Sequence, residues 1–175
     1  MRVIAGELGG RRLKAPRGAT VRPTSDRARE ALFSVLGDIS GADVCDLFCG
    51  TGALGIEALS RGARHVVLID DDTSPAQANL DALDISARVD LVRRDALEYL
   101  SLTTPTFDLI LCDPPYTLAA RVAGDLEKLV PARLRDGGRL VTESSSRTPM
   151  ELNLTLEDDR TYGETSIRIW SVDKK

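Results

Sequence analysis

From residue 43 onward, short apolar runs alternate with segments whose apolar residues recur at helical spacing. The apolar runs predict five β-strands, at residues 44–48, 66–69, 89–92, 107–112 and 137–141. The segments between them predict helices that end near residue 61, span about 74–83, begin after residue 95, and span about 118–129. Such alternation is typical of a parallel sheet with helices on both faces, in which ligands bind beyond the carboxyl ends of the strands.

The first part of the chain has a different pattern. Residues 2–15 are rich in glycine and predict two short strands that form a hairpin. Thr24 or Ser25 can cap the amphipathic helix that follows, which ends at about residue 37. The spacing predicts that Arg29 points away from the apolar stripe of this helix.

The end of the chain predicts two further strands, at residues 152–156 and 166–172, joined antiparallel by a turn at Tyr162-Gly163. The expected fold is therefore α/β, with a seven-stranded and mostly parallel sheet, helices on both faces and an antiparallel last strand. Residues 1–37 are expected to form a basic N-terminal hairpin-and-helix extension, and residues 38–175 the main domain.

The composition is that of a globular protein with an uneven charge. The 175 residues are 42% hydrophobic and 29% charged, which is enough for one substantial core. Residues 1–37 carry eight basic and three acidic side chains, a net charge of +5, whereas the remainder carries −9. A basic front end favours a polyanionic partner that docks at one place, although a solvated basic arm has the same charge.

Other features narrow the class of protein. No run approaches the roughly 20 apolar residues of a membrane span, and no apolar signal segment opens the chain, so a cytoplasmic protein is expected. His65 is expected to be structural, Trp170 to pack in a terminal strand, and Glu57 to be a surface or helix-stabilising acid. The cysteines are too few for a disulfide framework, and we expect buried thiols rather than a metal site: Cys45, Cys49 and Cys112.

A glycine turn follows the first predicted strand. Residues 50–55 read Gly-Thr-Gly-Ala-Leu-Gly and open a helix, which is a pattern of nucleoside-binding proteins in general. Asp46 lies four residues before the first glycine, where a dinucleotide-binding strand is normally apolar. A carboxylate beside a helix N-terminus disfavours pyrophosphate, so Asp46 favours a cationic or amino-acid-bearing ligand unless it is a plain turn acid.

Acids also end the next two predicted strands. Asp70 can accept both hydroxyls of a ribose, although Asp71 and Asp72 follow it and leave open which carboxylate does so. Asp95 can accept a hydrogen bond from an adenine amino group, and it can equally cap the next helix. Acids at three successive strand ends are more informative together than any one alone.

The fourth predicted strand runs into residues 113–116, which read Asp-Pro-Pro-Tyr. The two prolines fix the backbone and remove two N–H donors, so the Asp113 carboxylate and nearby carbonyls form a rigid rim of acceptors. Tyr116 adds a flat face on which a ring can stack. Such a rim suits an amino group on a planar base, and it can position a weakly nucleophilic amine against an electrophilic carbon.

These motifs resemble class I S-adenosylmethionine-dependent amino-methyltransferases. The segments similar to RsmD-type small-subunit ribosomal RNA guanine-N2 methyltransferases are 2–6, 9–13, 22–26, 29–33 and 46–63. The resemblance covers nearly the full chain and implies a Rossmann-like class I methyltransferase fold. It also implies methyl transfer from S-adenosylmethionine to the exocyclic N2 amine of one guanosine in bacterial 16S ribosomal RNA. The implied partner is the small subunit or its assembly intermediate, and the implied state is a monomer.

The resemblance also implies roles for individual residues. The methionine part of the cofactor would lie near Asp46, Gly50 and Gly52. Asp70 would hold its ribose, Asp95 its adenine, and the corner containing Thr24 would close over it. The target guanine would be held by Asp113, Pro114 and Tyr116, and RNA phosphates by Arg11, Arg12 and Lys14. No metal is implied.

Three alternative functions remain open on the sequence. The Asp-Pro-Pro-Tyr rim suits the N6 amine of adenine as well as the N2 amine of guanine. Only the N-terminal resemblance therefore favours the guanine enzyme over an adenine methyltransferase acting on DNA or RNA. A dinucleotide oxidoreductase is supported by the glycine spacing alone, and leaves the rim unexplained. A non-catalytic RNA-binding or ribosome-assembly factor could retain the same fold.

Overall fold

The computed structural model describes residues 1–15 and 25–172. In this part of the chain the α-helices are α1 Asp26–Leu36, α2 Ala53–Ser60, α3 Ser74–Leu83, α4 Ala96–Leu102 and α5 Ala119–Leu129. The β-strands are β1 Asp43–Leu47, β2 His65–Asp70, β3 Val89–Arg93, β4 Phe107–Cys112, β5 Leu134–Ser145, β6 Thr155–Tyr162 and β7 Thr165–Ser171.

The strands form one seven-stranded sheet in the order β3-β2-β1-β4-β5-β7-β6. Strands β1 to β5 pair in parallel, whereas β7 is antiparallel to both of its neighbours. The order reverses between β1 and β4, so the switch point lies where these two strands end. This arrangement confirms the fold class predicted from the sequence.

Helices cover both faces of the sheet because strand side chains alternate between two apolar clusters. Val44 on β1 packs with apolar residues of α1, α2 and α3, whereas Cys45 and Leu47 face the cluster that contains α4 and α5. The three cysteines are buried thiols, as predicted, and Trp170 is buried with its indole N–H donating to Thr142 at 2.9 Å. No helix among the described residues is long and apolar enough to cross a bilayer.

Two strand boundaries differ from the prediction. The fifth strand begins at Leu134 rather than Gly137, because a register shift in the pairing of β4 with β5 accommodates the glycine pair. The sixth strand spans residues 155–162 rather than 152–156. Its side chains are mostly exposed and polar on the edge of the sheet, so the strand lacks the hydrophobic alternation that sequence analysis detects.

The predicted N-terminal hairpin is reduced to a single antiparallel bridge between Arg2 and Arg12, rather than two strands. The backbone of this segment also bonds to α2, because Glu7 N–H donates to the Ser60 carbonyl at 2.9 Å and Leu8 N–H to the Ser60 hydroxyl at 3.0 Å. Apolar side chains of this segment join the core on the α1–α3 face, namely Val3, Leu8 and Leu13.

The prediction that Arg29 points to solvent is wrong. Its side chain is fully buried, and Nη2 donates to the Arg2 carbonyl at 2.6 Å and to the Asp26 carboxylate at 2.7 Å. The chain start folds over α1 and supplies a carbonyl acceptor on the side that the helical spacing assigned to water. Ser25 caps the helix, accepting from Ala28 N–H at 3.1 Å.

Candidate active site at the carboxyl edge of the sheet

The predicted site residues that the structure describes gather at one edge of the sheet. Strands β1 and β4 lie side by side in parallel, and Leu47 pairs with Cys112. The glycine turn after β1 and the Asp-Pro-Pro-Tyr rim after β4 therefore start at the same height. Asp70 ends the neighbouring strand β2, and Asp95 follows β3 on the far side.

Asp46 is a buried carboxylate with one satisfied oxygen. Its Oδ2 accepts from Gly55 N–H at 2.9 Å, whereas its Oδ1 is buried and has no hydrogen-bond partner among the described residues. Burial raises the pKa of this carboxyl to about 8, and the neighbouring charges of Asp113 and Asp70 act in the same direction. A cationic donor placed at Oδ1 would pair this oxygen and offset the cost of its burial.

Backbone geometry explains two of the glycines in the turn. Gly52 caps α2 with φ of 76°, a left-handed conformation that side-chain-bearing residues rarely adopt. A Cβ on Gly55 would lie 2.2 Å from Leu68 Cδ2, so only glycine lets α2 approach the sheet this closely. The close approach brings the Gly55 N–H to the Asp46 carboxylate.

Among the three consecutive acids, Asp70 is the one joined to the glycine turn. Its Oδ2 accepts from Gly50 N–H at 2.9 Å, and its Oδ1 accepts from Asp72 N–H at 3.1 Å. Asp72 is turned toward α3, because its side chain accepts from Ser74 N–H at 3.0 Å. Hydrogen bonds from the side chain and then the backbone N–H of Ser74 lower the pKa of Asp72. The contacts favour Asp70 over Asp72 as a ligand of groups bound at the turn.

Asp95 is the N-cap of α4. Its exposed side chain accepts from Glu98 N–H at 2.8 Å, so the capping role considered for this residue is realised in the structure. A role toward an adenine ring stays a prediction.

The rim after β4 has a buried and an exposed part. Pro114 is buried, Asp113 is half-buried, and the Tyr116 side chain is 53% exposed at the start of a short 3₁₀ turn. The pKa of Tyr116 is raised by partial burial, with the nearby carboxylates of Glu143 and Asp113 adding to the shift and a hydrogen bond with Thr165 opposing it. An exposed ring beside half-buried acceptors is suited to a planar base that enters from solvent.

The predicted RNA-binding side chains lie on the surface of the N-terminal segment. Arg11, Arg12 and Lys14 are exposed, and Arg11 Nη2 lies 3.4 Å from the Ala82 carbonyl. Thr24, predicted to close over the cofactor, lies outside the described residues. In the part of the chain that is described, no cluster of three or more His, Cys, Asp or Glu side chains is arranged to hold a metal ion.

Of the two roles predicted for Glu57, the surface position is wrong because the residue is fully buried, whereas its ion pair with Arg61 agrees with a helix-stabilising acid. Its carboxylate accepts from Ile4 N–H at 2.7 Å, from Ala5 N–H at 3.1 Å and from Arg61 Nε at 2.7 Å. The one available signal was an acid inside a helix that is otherwise apolar almost all round.

Sequence analysis also missed two other buried polar residues near the site. Asn79 on α3 is fully buried and bonds to the backbones of Lys14 and Thr51. Glu143 near the end of β5 is 5% exposed and pairs with Ile167 across the sheet. Asn79 falls on the apolar face of its helix, which is a signal, whereas Glu143 has none in the local pattern.

Comparison with known proteins gives consistent matches over the whole chain. The family model described as Conserved hypothetical protein 95 matches residues 1–171. YlbH of Bacillus subtilis is 35% identical, with 97% of this chain and 98% of that protein covered. The protein named ribosomal RNA small subunit methyltransferase D of Escherichia coli K12 is 33% identical, with 97% and 89% covered.

A solved structure is also similar. The hypothetical protein TTHA0928 of Thermus thermophilus superposes with a TM-score of 0.85 at 27% sequence identity, covering 98% of this chain and 99% of that one. The similarity therefore includes the N-terminal segment as well as the sheet and its helices.

Proposed function

Because the chain belongs to the Conserved hypothetical protein 95 family, the RsmD-type family of methyltransferases, we propose that it methylates the N2 amine of a guanosine in small-subunit ribosomal RNA. The methyl donor is S-adenosylmethionine. The observation that carries the proposal is the pairing of Leu47 with Cys112, which puts the glycine turn and the Asp-Pro-Pro-Tyr rim side by side. A donor bound at the turn then faces an amine bound at the rim.

The residues at the turn fit S-adenosylmethionine. The unpaired Oδ1 of Asp46 suits the ammonium of its methionine part, because a cation relieves a buried carboxylate. Gly50 and Gly52 leave space for the ligand beside the backbone, and Asp70 presents carboxylate oxygens suited to ribose hydroxyls. Asp95 would hold the adenine amino group. The corner at Thr24 would cover the cofactor.

The chemistry needs little beyond positioning. S-adenosylmethionine supplies an electrophilic methyl group on a sulfonium. Asp113 and the Pro114 carbonyl hold the guanine amine, Tyr116 stacks on its ring, and together they direct the nitrogen at the methyl carbon. The Asp113 carboxylate stabilises the positive charge that develops on nitrogen, and it or water accepts the proton that the amine loses.

We propose that residues 38–175 form a methyltransferase domain and that residues 1–37 form a basic extension of it. In this proposal the extension binds the RNA. Exposed Arg11, Arg12 and Lys14 would contact phosphates beside the site. The target guanosine must be unstacked before its amine can reach the rim. The proposed substrate is 16S ribosomal RNA in the small subunit or its assembly intermediate. We further propose a monomeric enzyme acting in the bacterial cytoplasm.

The direct test uses S-adenosylmethionine with a labelled methyl group and small ribosomal subunits that lack the modification. After incubation the RNA is digested, and the labelled nucleoside is identified. N2-methylguanosine is the expected product. Labelled N6-methyladenosine would keep the methyl transfer and overturn the guanine assignment. Absence of label in RNA, with cofactor binding intact, would favour a binding or assembly role instead.

A further inference from the structure

A second acid lies beside the Asp-Pro-Pro-Tyr rim and has no role in the proposed transfer. Cys112 on β4 pairs with Thr142 on β5, so the residues that follow each of them, Asp113 and Glu143, stand next to each other at the carboxyl edge. Neighbouring strands are about 4.8 Å apart, which is close enough for both carboxylates to reach one base. Glu143 is 5% exposed, and its charge acts on the Tyr116 hydroxyl.

The two acids also share a face of the sheet. Glu143 is directly opposite Ile167, and directly paired residues point to the same side. Ile167 packs in the cluster of α1, α2 and α3. Leu111 packs in that cluster too, and Asp113 continues its alternation two residues later. The charges of Asp113 and Asp46 interact, which agrees with this placement.

Two adjacent carboxylates match the edge of guanine and oppose that of adenine. Guanine presents two neighbouring donors, N1–H and the N2 amine, and each needs an acceptor when it leaves water. Adenine presents its amine beside N1, which is an acceptor. A carboxylate facing that lone pair is repelled, so a second acid discriminates against adenine rather than merely favouring guanine.

We propose that Glu143 accepts the N1–H of the target guanine while Asp113 and the Pro114 carbonyl hold its N2 amine. This inference rests on the proposed function and deepens it, since it assigns a residue to the choice of guanine over adenine. The Asp-Pro-Pro-Tyr rim cannot make that choice alone. Glu143 contacts the base without taking part in the transfer.

The first experiment compares the wild-type chain with Glu143→Gln on small subunits that lack the modification. The glutamine keeps the shape but replaces one acceptor oxygen with an NH₂ group that opposes N1–H. We expect kcat/KM for N2-methylguanosine formation to fall about 10- to 100-fold, the range for a hydrogen bond to a charged group. Affinity for S-adenosylhomocysteine should stay within twofold. Glu164→Gln is the matched control, because Glu164 also acts on Tyr116 but is exposed.

The second experiment separates base contact from a structural role. Once the methylated position is mapped, 2-aminopurine is placed there, which keeps the N2 amine and removes N1–H. 2-Aminopurine lacks O6 and has a lone pair at N1, which the Glu143 carboxylate repels, so the wild type should lose at least about 10- to 100-fold in kcat/KM. Glu143→Gln should lose much less on the same base, because it already lacks the carboxylate that binds N1–H and its amide NH₂ can donate to the N1 lone pair. Losses that multiply would overturn the proposal. So would wild-type turnover of 2-aminopurine within twofold of guanine, a result that needs no variant to fold.

The outcomes separate this inference from the function on which it rests. If the wild type forms N2-methylguanosine and Glu143→Gln matches it, only the role of Glu143 is overturned. Reduced turnover together with a matching loss of cofactor affinity would also overturn it. If the wild type forms no N2-methylguanosine, the proposed function itself fails, and the role of Glu143 fails with it.

Discussion

The side-chain amide of Asn79 hydrogen-bonds to both the backbone N–H and the backbone carbonyl of Lys14. The buried side-chain oxygen accepts from Lys14 N–H at 2.7 Å, and Nδ2 donates to the Lys14 carbonyl at 3.1 Å. The same Nδ2 donates to the Thr51 carbonyl at 3.0 Å, inside the glycine turn. One amide on α3 therefore fixes the basic N-terminal segment and the proposed cofactor turn relative to each other.

Replacing Asn79 with alanine should loosen that junction. The backbones of Lys14 and Thr51 lose three partly buried hydrogen bonds, which costs about 1–3 kcal/mol of unfolding free energy. Affinity for ribosomal RNA should fall several-fold, because the basic side chains are no longer held in one place. Urea denaturation and RNA binding at several salt concentrations measure the two effects. The exposed Asn153→Ala is the control, and equal effects of the two changes would contradict the role given to Asn79.

The sequence alone locates those candidate site residues that lie at strand ends, whereas their roles stay predictions. Asp46, Asp70 and Asp113 lie at the carboxyl end of a strand or within one residue of it, and a parallel sheet brings such ends together without further information. Glu57 and Asn79 act on backbone more than 50 residues away. Their partners are backbone N–H and C=O groups of an irregular segment, and no pattern of side chains in the sequence predicts such contacts.

The same contrast explains which predictions about the fold were wrong. Strand β4 is apolar except for Asp108, and its predicted bounds match the structure. Strand β6 is polar because it lies on an edge of the sheet, so the sequence pattern predicted it a few residues too early in the chain. Arg29 was assigned to solvent by helical spacing, but the chain start covers it and supplies the Arg2 carbonyl. Tertiary cover by a segment without regular structure cannot be deduced from periodicity.

Reversing the charge of Arg11 and Arg12 tests the proposed RNA surface. The double variant Arg11→Glu and Arg12→Glu should weaken RNA binding. The slope of log affinity against log salt concentration should become shallower by nearly one unit for each phosphate that the variant no longer neutralises. Both side chains are exposed, so unfolding free energy should change little. Lys128→Glu on α5, 76% exposed on the opposite face, is the matched control. Unchanged RNA affinity across salt concentrations would remove the N-terminal segment from the interface.

Asp113→Ala should abolish methyl transfer while leaving cofactor affinity largely intact. The substitution removes the acceptor that aligns the amine, and alignment accounts for much of the rate. S-adenosylhomocysteine binding should stay near the wild-type value, because the proposed cofactor contacts lie at the glycine turn with Asp46, Gly50 and Asp70 rather than at Asp113. Single-turnover kinetics with saturating cofactor measure the transfer step. Near-normal turnover would exclude Asp113 from it.

Glu57→Gln tests how the N-terminal segment is attached. The amide keeps one acceptor oxygen and loses the charge that pairs with Arg61, so we expect a loss of about 1–3 kcal/mol in unfolding free energy. The chain near residues 4 and 5 should become easier to cleave by proteases, since one of their two N–H groups loses its acceptor oxygen. Glu30→Gln, an exposed change on α1, should show neither effect. Equal protease sensitivity in the two variants would contradict the attachment.

The burial of Asp46 makes both stability and cofactor binding depend on pH. The pKa of this carboxyl is about 8 in the folded chain and near its ordinary value of 3.8 when unfolded. Folding therefore favours the protonated form. Its contribution to stability is fully present below about pH 4 and is lost as pH rises through about 8. Pairing with a cofactor ammonium needs the ionised form, so binding should release a proton below about pH 8.

Asp46→Asn separates these two effects. The variant cannot ionise, so its unfolding free energy should exceed that of the wild type above pH 8 by a few kcal/mol, and the difference should shrink toward pH 4. Its affinity for S-adenosylhomocysteine should fall most strongly above about pH 8, because the amide offers no charge to the ammonium, and the deficit should shrink at lower pH, where the wild-type carboxyl must first lose its proton. Urea denaturation across pH measures the first effect. Calorimetry in buffers of different ionisation enthalpy measures the second, since wild-type binding at pH 7 should release a proton and variant binding should not. If wild-type binding releases no proton and its affinity does not rise toward pH 8, the ammonium does not bind at Asp46.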